Sequence, residues 1–203
     1  MRYTPLALLP IIVLSSCAAN QPVTRTGLVT ARGNPLTLEG TSRGVKIGEP
    51  APDFIAVAND MSESSLSNYR GKTVILSTVP SLDTGVCDKE TREFNARALG
   101  LSDGIVVLTV SMDLPMAQKR WCGAAGVERV VTLSDSKRRE VGDRYGLRIR
   151  ENGLLARSVT VIDPAGVVRY QQIVPEVTTE PDYDSAIDAA VKAASGASTA
   201  AGR

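Results

Sequence analysis

The chain has 203 residues, a formal net charge of +1 and only 4% aromatic residues, so nothing in it favours a nucleic-acid or acidic partner. It contains no histidine, which excludes Ser-His-Asp and Cys-His catalysis and any His-ligated zinc, copper, iron or haem centre. The three cysteines, Cys17, Cys87 and Cys122, are too scattered for a thiolate metal cage and no glycine-rich phosphate loop is present; no metal and no cofactor are expected, so redox chemistry runs on the thiols alone or on an organic cofactor that leaves no motif.

The first segment reads as a targeting sequence. Arg2 precedes a short apolar stretch from Pro5 to Leu14, too short to span a bilayer but suited to a secretory signal. Leu14-Ser15-Ser16-Cys17 resembles a bacterial lipobox. That resemblance implies a signal peptide over 1–16, cleavage before Cys17 and a diacylglycerol on its sulfur. The domain is then expected in the cell envelope, facing the periplasm and held to the membrane only by its lipid. Ala18 carries no acidic retention signal, which favours the outer membrane. Residues 17–27 read as a polar tether and 28–194 as the globular domain. With Cys17 lipidated, Cys87 and Cys122 remain as an even pair in an oxidising compartment, which is also the composition of a structural disulfide.

Leu28–Ala31 and Leu36–Leu38 flank Arg32-Gly33-Asn34-Pro35, a hairpin signal. Lys46–Phe54 is extended and limited by its prolines, and 66–72 is a turn into a buried strand over 74–79. A helix begins near Thr84, a suitable N-cap. Cys87, Thr91, Phe94 and Ala98 fall on one helical stripe. Cys87 therefore faces inward from the first turn, where unpaired N–H groups and the helix dipole favour a thiolate. Asp83 and Glu90 read as solvated carboxylates at the helix start, with no catalytic role.

The next strand is 105–110, followed by a short helix over 112–122. Asp113 suits its cap, Pro115 its first turn, and Gly123 and Gly126 end it. A strand over 130–133 and a polar helix over 136–145 follow. Strands over 156–162 and 167–173 are joined by Asp163-Pro164-Ala165-Gly166, a strong turn. An Ala-rich helix over 183–194 closes the domain, and the small-residue tail 195–203 is expected to be unstructured. This alternation indicates an α/β sandwich. Its order resembles a thioredoxin-like fold with an N-terminal β-hairpin extension.

Pro80-Ser81-Leu82-Asp83-Thr84-Gly85-Val86-Cys87 resembles the active-site motif of peroxiredoxins, and at full length that of the bacterial thiol peroxidase branch, the atypical 2-Cys type. Three further stretches follow in matching order. Residues 113–123 resemble the branch's resolving-cysteine helix, 156–163 its arginine strand and 178–183 its C-terminal signature. The resemblance implies a peroxiredoxin-type fold and a thiol-specific peroxidase acting on hydrogen peroxide and organic hydroperoxides. It makes Cys87 the peroxidatic cysteine, oxidised to a sulfenic acid, and Cys122 the resolving one, closing an intramolecular Cys87–Cys122 disulfide. A thioredoxin-like dithiol would reduce that disulfide. Arg157 would supply a fixed positive charge, Thr84 a hydroxyl for the sulfur or peroxide, and Pro80 a fixed, shielding loop. A homodimer is implied by the family alone.

A disulfide brings two Cα atoms within about 7 Å. Cys87 and Cys122 sit on separate helices with a strand between them, so one segment is expected to unwind after oxidation, beside Gly85 or Gly123. Trp121 adjoins Cys122 and would report the change; a core anchor is its other reading. Three other functions fit the fold. Envelope thiol–disulfide exchange uses Cys-x-x-Cys, which is absent. A copper-carrying lipoprotein normally uses histidine. A non-catalytic envelope lipoprotein is the third. A lipid-anchored peroxidase would also need a periplasmic thioredoxin-like partner, because cytosolic thioredoxin cannot reach it.

Overall fold

The computed structural model describes residues 22–200; the leader with Arg2, the lipobox and Cys17 lies outside the described residues, as do 201–203. In chain order, β1 (Val23–Ala31), β2 (Asn34–Gly40), β3 (Ile55–Ala58), β4 (Glu63–Ser65) and β5 (Thr73–Thr78) precede α1 (Gly85–Ala98). Then come β6 (Ile105–Ser111), α2 (Pro115–Ala125), β7 (Val130–Ser134), α3 (Glu140–Arg144), β8 (Arg148–Ile149), β9 (Ser158–Ile162), β10 (Val168–Ile173) and α4 (Tyr183–Ala200).

Seven strands form one sheet in the order β10-β9-β5-β6-β7-β3-β4, and β1-β2-β8 form a second. β5, β6 and β7 run parallel, which requires the crossovers that α1 and α2 supply. β9 returns antiparallel on the other side of β5. Successive strand residues face opposite ways, and here they divide two cores. Val74, Leu76, Leu108 and Val110 join Val29, Leu38, Tyr145 and Leu147 of the small sheet and its neighbours. Ile75 and Val107 join Phe94 and Ala98 of α1 and Ala186 and Ala190 of α4. β5 is buried along its whole length, as a strand covered on both faces must be. Its C-terminal end therefore delivers the Pro80–Thr84 loop from a rigid base.

Some boundaries differ from the sequence reading. β1 begins at Val23, so the second half of the expected tether is strand; β-branched Val23, Thr24 and Thr26 suit it, and β2 pairs with it as far as Gly40. The hairpin turn is the dipeptide Arg32-Gly33 at φ 51 and 79, a two-residue geometry that follows the strand twist. β3, β4 and β8 are too short to show a period in sequence. The helix predicted over 136–145 contracts to α3, because Arg139 takes the left-handed region at φ 59 and Asp135 accepts the N–H groups of Val141 and Gly142. Gly123 lies inside α2, which Gly126 closes at φ 64 by donating to Cys122 O. Leu114, not Asp113, is the N-cap of α2; the Asp113 carboxylate turns to the Ser81-Leu82 loop instead. α4 continues past Ala194 to Ala200 where an unstructured tail was expected; alanine has the highest helix propensity.

Candidate active site

Thr84 holds an extended conformation, φ −114 and ψ 144, at the N-cap of α1. The first intrahelical bond runs from Asp88 N to Thr84 O, 2.9 Å, so the N–H groups of Gly85, Val86 and Cys87 precede the ladder. Cys87 is 0% exposed and packs on Val79, Leu82 and Trp121. Two donors converge on its sulfur: Thr84 Oγ1 at 2.9 Å and Arg157 Nη2 at 3.2 Å. The Thr84 hydroxyl is also 3.1 Å from Ser81 O. Pro80 is half-buried where the loop leaves β5, and Asp83 is exposed as expected.

Arg157 stands just before β9, whose pairing with β5 carries it to the Cys87 end of the sheet. Its guanidinium donates to Cys87 Sγ, to the Glu90 carboxylate and, through Nε and Nη2, to Val177 O at 3.3 and 3.0 Å. Glu90 corrects the sequence reading. It is wholly buried, it accepts from Arg157, and it accepts from Ser77 Oγ at 2.7 Å. Burial pushes the Glu90 carboxyl above its ordinary range, with the Arg157 charge and the Ser77 hydroxyl pulling against it. Desolvation also opposes the Arg157 cation, but Glu90 and Cys87 outweigh it and hold the guanidinium above its usual value. The signal was present in the spacing: Cys87, Glu90, Thr91 and Phe94 fall at i, i+3, i+4 and i+7 of a buried face.

The carbonyl that orients Arg157 is itself braced by the N-terminal hairpin. Val177 N donates to Thr30 O at 3.0 Å, and Thr30 N to Pro175 O at 2.7 Å. Glu176, between them, accepts from the N–H groups of Arg32 and Gly33 and from the Thr30 and Thr178 hydroxyls. These bonds, the Arg32 N–H foremost, pull its carboxyl down to about 2.

Cys122 occupies the last turn of α2, in a separate network. Its sulfur is 3.2 Å from Thr132 Oγ1 on β7 and 3.6 Å from Asn59 Nδ2. Both thiols are free. Trp121 is what α2 presents to Cys87; its indole donates to Asp88 Oδ1 at 3.0 Å and lies under the Arg92 guanidinium. Consecutive helical residues point about 100° apart, so Cys122 faces β7 while Trp121 faces α1. The structure thus gathers Cys87, Thr84 and Arg157, with Pro80 in the same loop, and leaves Cys122 apart.

A buried sulfur in the first turn of a helix, with a permanent cation and a hydroxyl donating to it, is placed to act as a nucleophile. The same donors can polarise an oxygen that approaches it. An open groove of about 1020 Å³ lies elsewhere, between α4 and the Asp163–Ala165 turn. Among the described residues no group of three His, Cys, Asp or Glu side chains could hold a metal ion.

Residues 46–187 match the family model described as Redoxin. Over 162 residues the chain is 52% identical to a thiol peroxidase of Halalkalibacterium halodurans, covering 80% of this chain and 96% of that protein. It is 48% identical over 162 residues to the thiol peroxidase of Bacillus subtilis, covering 80% and 95%. The crystal structure of a peroxiredoxin-like protein from Aquifex aeolicus matches with a TM-score of 0.76 at 40% identity, over 83% of this chain and 96% of that one.

Proposed function

The chain belongs to the redoxin family, within it to the bacterial thiol peroxidases, and from that membership we propose that Cys87 is its peroxidatic and Cys122 its resolving cysteine. It has the family's thioredoxin-like fold and is a thiol-dependent peroxidase, an oxidoreductase. The convergence of Thr84 Oγ1 and Arg157 Nη2 on the Cys87 sulfur carries the Cys87 assignment; that of Cys122 rests on the family resemblance.

The Cys87 thiolate attacks the terminal oxygen of a hydroperoxide. The O–O bond breaks, an S–O bond forms, and the leaving alkoxide or hydroxide takes a proton to become alcohol or water. Thr84 and Arg157 share the developing charge between sulfur and oxygen. Glu90, touching Arg157 and not the sulfur, positions the guanidinium. The Cys122 thiol then displaces the sulfenic oxygen as water and closes the Cys87–Cys122 disulfide. A thioredoxin-type dithiol reduces it by exchange, becoming a disulfide itself.

The test is steady-state reduction of hydrogen peroxide and alkyl hydroperoxides with candidate dithiols. Cys87→Ser should abolish turnover, and Cys122→Ser should oxidise once and stall. Peroxide consumption by Cys87→Ser equal to that of the native protein would overturn the assignment.

The lipobox-like Leu14-Ser15-Ser16-Cys17 supports a lipid-anchored enzyme facing the periplasm, on the outer membrane and served by a periplasmic thioredoxin-like reductant. Incorporation of labelled lipid that survives Cys17→Ser would refute the anchor. A homodimer is the assembly proposed, supported by the family resemblance and by Leu114 and Met116, exposed at 58% and 54% at the start of α2. A monomeric mass in sedimentation would refute it.

A further inference from the structure

The two cysteine-bearing segments meet at one carboxylate. Asp113 Oδ1 accepts from Ser81 Oγ at 2.7 Å, and Oδ2 accepts from Leu82 N at 2.8 Å and from Ser111 Oγ at 2.7 Å. Its carbonyl accepts from Ser134 Oγ at 2.6 Å. On α2, the buried Gln118 donates to Ser111 Oγ at 2.9 Å and to Leu133 O at 3.0 Å. One connected network therefore runs from the Cys87 loop, through Asp113 and Ser111, to the helical turn that precedes Cys122.

Leu82 gives this network its consequence. Its side chain packs on Cys87, and its N–H is held by Asp113. Disulfide formation needs the two Cα atoms within about 7 Å, yet Leu82 and Trp121 wall in the Cys87 sulfur while Cys122 bonds toward β7. Opening the loop breaks the Ser81 and Leu82 bonds to Asp113, and detaching α2 strains the Gln118 arm of the same network. Bonds to a carboxylate are stronger than neutral ones, so this residue resists both movements.

We propose that Asp113 is a latch: a positioning residue that holds the Cys87 loop closed against the start of α2 and sets how long the Cys87 sulfenic acid waits for Cys122. The proposal rests on the reading of Cys87 and Cys122 as peroxidatic and resolving cysteines. A longer wait exposes the sulfenate to a second hydroperoxide, which transfers one oxygen to sulfur, leaves as alcohol or water, and yields the sulfinic acid. The latch thus sets the enzyme's sensitivity to excess peroxide.

Asp113→Asn tests this. An amide has one accepting atom where the carboxylate has two, so a Ser or Leu82 donor loses its partner. Disulfide closure after rapid mixing with peroxide, read by Trp121 emission and by mass spectrometry of quenched samples, should quicken about tenfold, and the sulfinic fraction per turnover should fall about as much. Oxidation of Cys87 should slow severalfold, because the loop spends less time closed. Ser81→Ala, which removes one donor, should move all three quantities the same way by less, and guards against misfolding of the first variant. A purely structural role would lower the melting temperature without shifting the partition between disulfide and sulfinic acid. Unchanged closure rates and sulfinic fractions in both variants, with the native protein forming the disulfide, would overturn the latch alone. A native protein that forms no Cys87–Cys122 disulfide would remove both the latch and the underlying assignment.

Discussion

Arg157 and Glu90 are 1% and 0% exposed and bond each other, so neither can turn to water when its partner is removed. Arg157→Met keeps much of the bulk and deletes the cation, leaving Glu90 with the Ser77 hydroxyl. Breaking a buried pair by removing one partner costs about 3–5 kcal/mol, a large share of the roughly 5–15 kcal/mol that stabilises a domain. Glu90→Gln keeps one accepting oxygen for Arg157 and turns its amide N–H group to Ser77, whose hydroxyl must then accept instead of donate; it should cost about 1–3 kcal/mol. The double variant leaves no uncompensated charge, so its loss should fall short of the sum by about 2 kcal/mol. The pH dependence has a definite sign. Burial already pushes the Glu90 carboxyl up, and without Arg157 little pulls it back. A carboxyl raised in the folded state contributes fully below its ordinary value of 4.5 and loses that contribution as pH rises through the raised value. The deficit of Arg157→Met should therefore be small near that pH and grow toward neutrality, whereas the double variant should lack this growth. Urea unfolding of the reduced proteins across that range measures both effects. Additivity within about 0.5 kcal/mol, or a deficit that does not grow with pH, would refute the coupling.

Three further outcomes are expected. Thr84→Val removes the hydroxyl 2.9 Å from the sulfur and should slow peroxide attack about 10–100-fold, matching about 1.5–3 kcal/mol for a charge-assisted bond, while Thr84→Ser stays within about fivefold; competition kinetics with equal rates for Val and Thr would contradict the role. Glu176, held down to about 2, stabilises the hairpin fully above its ordinary value of 4.5 and loses that contribution as pH falls through about 2. In Glu176→Gln the Thr30 and Val177 amides should therefore exchange faster at neutral pH, and native-like exchange would refute the bracing role of Glu176. Peroxide should change Trp121 emission in the native protein but not in Cys122→Ser; identical spectra for the oxidised and reduced native forms would mean that the indole is never displaced.

Local signals sufficed for the segment that carries Cys87. A continuous apolar run marks β5, and a 3.6-residue stripe places Cys87, Thr91, Phe94 and Ala98 on one buried face. Glu90 falls on the same buried stripe, but a carboxylate near a helix start is ordinarily solvated, and spacing alone does not outweigh that rule. The charge that makes its burial tolerable lies 67 residues away, beyond any local pattern. Asp113 failed for a related reason. Its place before Pro115 suits a cap, but donors from Ser81 and Leu82, brought in by the neighbouring strand end, compete for the carboxylate. β3, β4 and β8 likewise exist through their pairing partners, not through their own sequences.

The crossover topology explains why the two cysteines start apart. α1 and α2 leave adjacent parallel strands β5 and β6 and begin at the same end of the sheet. Cys87 lies in the first turn of α1, but Cys122 lies in the last turn of α2. At 1.5 Å per residue, Cys122 stands about 10 Å along the axis from Pro115. Trp121 fills the space between α2 and α1 and is tied to Asp88. The contacts that bury Cys87 are thus the contacts that hold Cys122 away. Tightening them should favour the first oxidation and delay the second, and loosening them should do the reverse. No single substitution in the Leu82, Asp113 and Trp121 contacts should speed both steps.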